Sequence, residues 1–323
     1  MAVVGSDSLI GREIRDLVAE SSLAGDVSLI AAGVEEAGKI TEQSGEPAFV
    51  VPLEPKRLEA ADIIFLAGPA EPTKSVLEIS PEAGVIDFSY AAENNSNARL
   101  RAPMAEPRGY RVSKDSPQVI ANSAAIAMAV VLTRLHAAHP VRSAVAQVFE
   151  PASERGAAGL DELQRQTISL LSFKSQPREI FDAQLAFNLL PRLGEAAPVP
   201  LEESEVRVER HLASLLAASG KAPMPSLRVI HAPVFHGYSI SLWVEFEANP
   251  GVARVERALD SDPIDVRTGD TEPPHIVGMA GQNGLAVSVA ADRNHSQACW
   301  VWIVADNLRL RAENAILVAE QLV

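Results

Sequence analysis

Along the first 122 residues, short uninterrupted apolar runs alternate with stretches whose apolar positions recur every three or four residues. AVVG (2–5) leads into SDSLIG and then REIRDLVAES, a strand, a tight turn and an amphipathic helix in direct succession. After VSLIAAG (27–33) comes a polar interval, then ADIIFLAG (61–68), GVIDFS (84–89) and VIAN (119–122). Each is a continuous β-rich run of the kind a parallel sheet buries on both faces. The pattern predicts an α/β, doubly wound N-terminal domain over residues 1–122.

Beyond Asn122 the periodicity changes. Residues 124–138 are strongly helical, VRSAVAQVFEPAS alternates as a strand, and 160–173 reads as a helix. GEAAPVPLEESE (194–205) reads as a surface loop leading into the helix VRVERHLASLLAAS. SLRVIHAPVF, YSISLWVEFE, GLAVSVAAD and ACWVWIVAD are longer and alternate more, which predicts a mixed or antiparallel sheet with one exposed face. The expected second domain is therefore α+β, over 123–306. A last helix, RAENAILVAEQLV, lies within 307–323 and is expected to complete the first domain.

Composition narrows the function classes. A hydrophobic content of 47% in 323 residues supplies two ordinary cores. No run reaches the roughly 18 residues of a membrane span, and the chain enters an apolar strand without a basic leader, so a cytoplasmic location without a membrane partner is expected. A net charge of −14 removes the basic footprint of a nucleic-acid binder. The single cysteine, Cys299, excludes an intramolecular disulfide framework and an all-cysteine metal site. In ACWVWIV it reads as core packing.

GSDSLIG keeps the outer glycines, Gly5 and Gly11, of a G-x-x-G-x-x-G turn and places Ser8 where the middle one stands. Between a strand and a helix this is a dinucleotide-binding signature, with Gly5, Ser6, Ser8 and Gly11 as its candidate residues. The side chain of Ser8 is expected to hinder the close approach of a pyrophosphate.

Several longer segments carry a family likeness. AGK (37–39), VIAN, QLAFNLLPRLG (184–194), APVFHGYS (232–239) and WIVADNLR (302–309) follow in order, and the whole chain resembles aspartate-semialdehyde dehydrogenase. The last three are similar to that family's "IAFNxIPxIG", "VPVFxGHS" and "WxVxDNLRKG". The likeness implies a Rossmann-like first domain, a second domain for substrate binding and dimerisation, and a homodimer. It also implies the family's reaction, in which an aspartyl phosphate is reduced by a nicotinamide cofactor through a cysteine thioester.

The residues for that reaction are not in their places. The family's "NPNCST" falls on residues 122–127 and puts Ala125 at the cysteine. Ser123 is the nearest hydroxyl and reads as a cap or turn residue. The proton-transferring histidine falls on Tyr238, whose phenol, with a pKa of about 10, is a poor base at neutral pH. His231 stands for the arginine that grips the substrate carboxylate, and Glu150 for a glutamine that orients the thioester. Glu93 and Glu205 stand where the family has cations. His231 and His236, five apart, match no usual metal spacing, so no metal is expected.

After the second strand, Glu35 falls near an arginine that receives a 2′-phosphate in the family, so a bound dinucleotide would be NAD rather than NADP; Lys39 is the nearest cation. Two functions remain open. One is a catalytically silent, Usg-like member with a binding, assembly or regulatory role. The other is an active NAD(P)-dependent aspartate-semialdehyde dehydrogenase or aldehyde oxidoreductase without a cysteine, using Tyr238, Glu150 and His231.

Overall fold

A computed structural model describes residues 1–33, 36–43, 45–79, 82–107, 109–110, 113–220, 222–269 and 271–323. Glu35 lies outside the described residues. The chain divides into two compact units, residues 1–121 with 311–323, and residues 122–310. Asn122 and residues 307–310 thus fall in the second.

The first unit is built on β1 (Ala2–Val4), α1 (Leu9–Glu20) and β2 (Ser28–Ile30). The polar interval that follows holds structure that its composition concealed: a hairpin of β3 (Ile40–Gln43) and β4 (Glu46–Phe49), and the short helix α2 (Pro55–Glu59). Both strands of the hairpin are mostly exposed, so no apolar run marks them. Then come β5 (Ile63–Leu66), α3 (Ala70–Ile79), β6 (Gly84–Asp87), β7 (Arg99–Arg101) and β8 (Gln118–Ile120).

Six of these strands form an all-parallel sheet in the order β2-β1-β5-β6-β8-β7. β5 and β6 are buried at every position, as their unbroken apolar runs require. Arg101, buried completely, grips Glu106 through two 2.8 Å hydrogen bonds and also donates to Gln118 and to Gln321 of the last helix. A buried guanidinium is tolerable only when its donors are satisfied in this way.

The second unit starts with α4 (Ser123–Ala138), β9 (Val141–Glu150) and α5 (Gly156–Leu171). It continues with α6 (Leu201–Ser219), β10 (Ser226–His231), β11 (Tyr238–Phe246), α7 (Val252–Leu259), β12 (Ile264–Val266), α8 (Ile276–Met279), β13 (Leu285–Ala291) and β14 (Ala298–Ala305). Its sheet is mixed, in the order β10-β9-β11-β14-β13-β12. One face is buried; the other presents Val145 and Trp300, each 44% exposed, on either side of Trp243.

Three helix starts differ from the periodicity. α5 begins at Gly156 rather than 160, because the residues before the apolar stripe are small and carry no pattern. α6 begins at Leu201, so the acidic run read as a loop is the helix's first turn, where Glu202 and Glu203 favour the positive end of the macrodipole. The last helix, α9 (Asn307–Leu322), starts four residues before Arg311. Its opening turn is capped by Asp306, whose Oδ1 accepts from Leu308 and Arg309 N–H at 3.0 and 3.1 Å.

Candidate functional site

Two places carry the residues that the sequence singles out, one in each unit. In the first unit the turn after β1 is shaped by its glycines. Gly5 has φ +78°, and a Cβ there would stand 2.4 Å from the Gly68 nitrogen. A Cβ at Gly11 would be 2.3 Å from the Gly5 carbonyl oxygen. Both positions therefore exclude a side chain.

Ser8 does something other than obstruct. It is the N-cap of α1, its hydroxyl accepting from Gly11 N–H at 2.9 Å and donating to the Ala67 carbonyl at 2.8 Å. The side chain is held against the protein on both sides, so the expected hindrance does not follow from it. Ser6 is fully buried, and its hydroxyl has no hydrogen-bond partner. Arg12 is tied to Asp7, and Arg15 donates to the Ser6 carbonyl at 3.0 Å.

A turn bare of side chains at Gly5 and Gly11, at a helix N-terminus and with the orphaned Ser6 hydroxyl beside it, fits the phosphates of a dinucleotide. At the end of β6, burial pushes the Asp87 carboxyl up even though it accepts from Ser89 and Ala92. Glu93 follows on a turn closed by its N–H to the Tyr90 carbonyl.

In the second unit, α4 opens at residues 122–127, the segment expected to correspond to the family's cysteine loop. Asn122 caps it, its side chain accepting from Ala124 N–H at 2.8 Å, while its own N–H donates to His211 Nδ1 at 3.0 Å. Ser123 donates its hydroxyl to the Asn307 carbonyl at 2.5 Å, so its proton is committed to the backbone; the cap expected of it is supplied by Asn122, and Ser123 is the first residue of the helix. Ala125 lies in the first turn and is fully buried. Asn307 knots the region: its Oδ1 accepts from Gly237 N–H (2.9 Å) and Ser153 Oγ (3.2 Å), and its Nδ2 donates to Glu154 (2.8 Å).

The parallel register of β9 and β10 sets Glu150 directly beside His231, at the ends of both strands. His231 Nδ1 is 3.1 Å from Glu150 Oε1, and Arg155 Nη2 is 3.1 Å from the same oxygen. Ser204 Oγ stands 3.5 Å from Glu150 and accepts from Arg155 Nη1 at 3.1 Å.

Burial alone pushes the Glu150 carboxyl up, but the Arg155 charge, His231 and Ser204 outweigh it and hold the group below the ordinary carboxylate range. Because an ionised carboxylate only accepts, Nδ1 of His231 carries the proton. Glu150 Oε2, His231 Nε2 and Arg155 Nε are buried without partners. The Phe181 ring, in the segment before the QLAFNLLPRLG motif, packs 5.0 Å from the imidazole, and Leu190 of that motif exchanges both backbone hydrogen bonds with His231.

Tyr238, at the start of β11, is buried. Glu205 Oε2 accepts from Val229 N–H at 2.8 Å and Arg228 Nε at 3.0 Å, fastening α6 to β10. Cys299 pairs with Val244 inside the sheet, and burial pushes its thiol up to about 12. No group of three or more metal-ligating side chains is present among the described residues, and no helix among them is long and apolar enough to cross a membrane. Sequence reasoning missed Arg155. Its only signal was proximity to Glu150 in FEPASER, and a one-turn 3-10 helix brings the two together.

The family model described as semialdehyde dehydrogenase, dimerisation domain, matches residues 132–310. The chain belongs to the semialdehyde dehydrogenase family. Its likeness to members of that family extends over its whole length. It is 28% identical over 334 residues to the aspartate-semialdehyde dehydrogenase of Rickettsia bellii, covering 100% of this chain and 97% of the relative. It is 29% identical over 332 residues to a USG-1 protein homolog of Pseudomonas aeruginosa, with the same coverage of 100% and 97%. Among solved structures, a probable aspartate-semialdehyde dehydrogenase from Pseudomonas aeruginosa superimposes with a TM-score of 0.85 at 27% identity, over 99% of this chain and 97% of that one.

Proposed function

We propose that this chain is a catalytically silent member of the family, which keeps a dinucleotide-binding turn and works as a homodimer in a binding, assembly or regulatory role. Ala125 is the observation that carries the reading. Thioester chemistry needs a thiolate at the helix N-terminus, and the first turn of α4 offers a methyl group. Cys299 is no substitute, since its buried thiol resists ionisation. Where the family grips a substrate carboxylate, the Arg155 charge instead compensates that of Glu150, and His231 hydrogen-bonds the same carboxylate oxygen. An incoming carboxylate would find the Arg155 guanidinium already paired with Glu150 rather than free.

For the dinucleotide, Gly5, Ser6, Ser8 and Gly11 would hold the phosphates, and the bound group would supply hydride chemistry. The exposed sheet face around Val145, Trp243 and Trp300 supports the homodimer. Two assays test the reading. No phosphate-dependent reduction of NAD or NADP with aspartate semialdehyde should be detected at any protein concentration, and a dinucleotide at about 100 times its dissociation constant should stabilise the protein by about 2.7 kcal/mol. Turnover by the unmodified protein would refute silence.

One observation favours a second reading, the alternative of a non-cysteine oxidoreductase. Glu150 fixes the His231 tautomer as a carboxylate does in acid–base dyads, leaving Nε2 as an acceptor. On that reading turnover exists and falls at least a hundredfold in His231→Gln, while Ala125→Ser leaves it unchanged.

A further inference from the structure

At the C-terminal ends of β1, β2 and β5 the strands approach with almost no side chain between them. A Cβ at Gly5 would stand 2.4 Å from the Gly68 nitrogen, and one at Gly68 would stand 2.4 Å from the Ala32 Cβ. Such a bare crevice, at the end of a parallel sheet, is where an α/β fold lets a nucleotide approach the backbone. The Glu36 carboxylate stands at its rim. After β2 the chain turns, Glu36 N–H donating to the Gly33 carbonyl at 3.1 Å, and Glu36 Oε2 accepts from Ala32 N–H at 2.8 Å.

One hydrogen bond occupies only part of a carboxylate, which has about four acceptor positions. The bond to Ala32 therefore fixes the group at the strand end and leaves acceptor capacity there. The guanidiniums of α1 are engaged elsewhere, Arg12 with Asp7 and Arg15 with the Ser6 carbonyl, Thr41 and the Glu42 carbonyl.

We infer that Glu36 selects the nucleotide: it accepts hydrogen bonds from an unphosphorylated adenosine ribose and repels a 2′-phosphate, so the turn takes NAD and rejects NADP. The inference rests on the proposed dinucleotide site and assigns its selectivity to one residue, the neighbour of Glu35. A ribose with free hydroxyls offers two donors to an ionised acceptor, while a 2′-phosphate brings a charge of about −1.5 to −2 against another anion. The opposing element is Lys39, three residues on and exposed, a cation that would favour NADP.

Isothermal titration of the full-length protein with NAD and with NADP, repeated for Glu36→Gln and Lys39→Ala, tests it. Glutamine keeps a carbonyl oxygen for Ala32 N–H, so the turn stays folded and only the charge is removed. The unmodified protein should bind NAD at least about tenfold more tightly than NADP, the value of one charge-assisted hydrogen bond. In Glu36→Gln that ratio should fall toward one, through weaker NAD and stronger NADP. An unchanged ratio in Glu36→Gln overturns the assignment, as does a preference for NADP that Lys39→Ala removes. If the unmodified protein binds neither nucleotide, the dinucleotide reading itself fails, a result distinct from both of these.

Discussion

Removing the Glu150 carboxylate should unfold the second unit more readily than its small volume suggests. In Glu150→Ala, the Arg155 guanidinium loses an ion pair at 3.1 Å, and the His231 Nδ1–H loses its acceptor at 3.1 Å. Arg155 is 8% exposed at its side chain and His231 not at all, so neither regains water without local opening. Breaking a buried pair by removing one partner costs about 3–5 kcal/mol, because the other charge remains buried. At about 2–4 °C per kcal/mol for a domain of this size, the midpoint should fall by about 6–20 °C.

The protein carries its own probe. All three tryptophans, Trp243, Trp300 and Trp302, are on β11 and β14, so fluorescence-monitored denaturation reports this unit alone. The double variant Glu150→Ala with Arg155→Met should recover most of the loss, since replacing a buried pair by apolar groups is close to neutral. A coupling of at least about 1.5 kcal/mol is expected between the two changes. A loss under about 1 kcal/mol in Glu150→Ala, or two costs that simply add, would refute the view of the cluster as a closed, mutually neutralised pair.

Other consequences are separately measurable. Because the folded Glu150 carboxyl lies below its ordinary 4.5, the stability it contributes is complete above that pH and is lost as pH falls through the lower folded value. The stability gap between the unmodified protein and Glu150→Gln should therefore narrow in equilibrium denaturation below pH 4.5, and a gap that widens there would contradict the assignment. Native protein should give no reaction of Cys299 with a thiol reagent at pH 8, and one equivalent in denaturant; rapid native labelling would show that the thiol is neither buried nor raised to about 12. On the proposed reading Ala125→Cys should restore no semialdehyde dehydrogenase activity, since Tyr238 still stands at the expected place of the proton-transferring histidine and His231 at that of the carboxylate-gripping arginine. Val145→Asp with Trp300→Asp should convert a dimer to monomers in light scattering with its fold intact by circular dichroism; an unchanged mass would place the subunit contact elsewhere.

Much of the fold was legible because burial leaves a period in the chain. Uninterrupted runs such as IIFL and GVID can be satisfied only by a sheet covered on both faces, and the alternation in YSISLWVEF by one that is covered on a single face. Where an element buries little, the signal was absent, which is why the β3–β4 hairpin and the early start of α6 escaped it. The residue types at the candidate positions were likewise written in the chain: that residue 125 is alanine, and that the single thiol lies in an apolar strand, needs no coordinates.

The sequence by itself therefore determined the layers, the family likeness and the residue types at the candidate positions. Only the tertiary structure decided what the substitutions became. Glu150 and His231 are 81 residues apart, and a parallel register makes them neighbours. Arg155 joins them through a single turn of 3-10 helix, and Glu205 fastens α6 to the backbone of β10. Charge type is local information, but which charges compensate one another depends on the distances that folding imposes and on the loss of water around them.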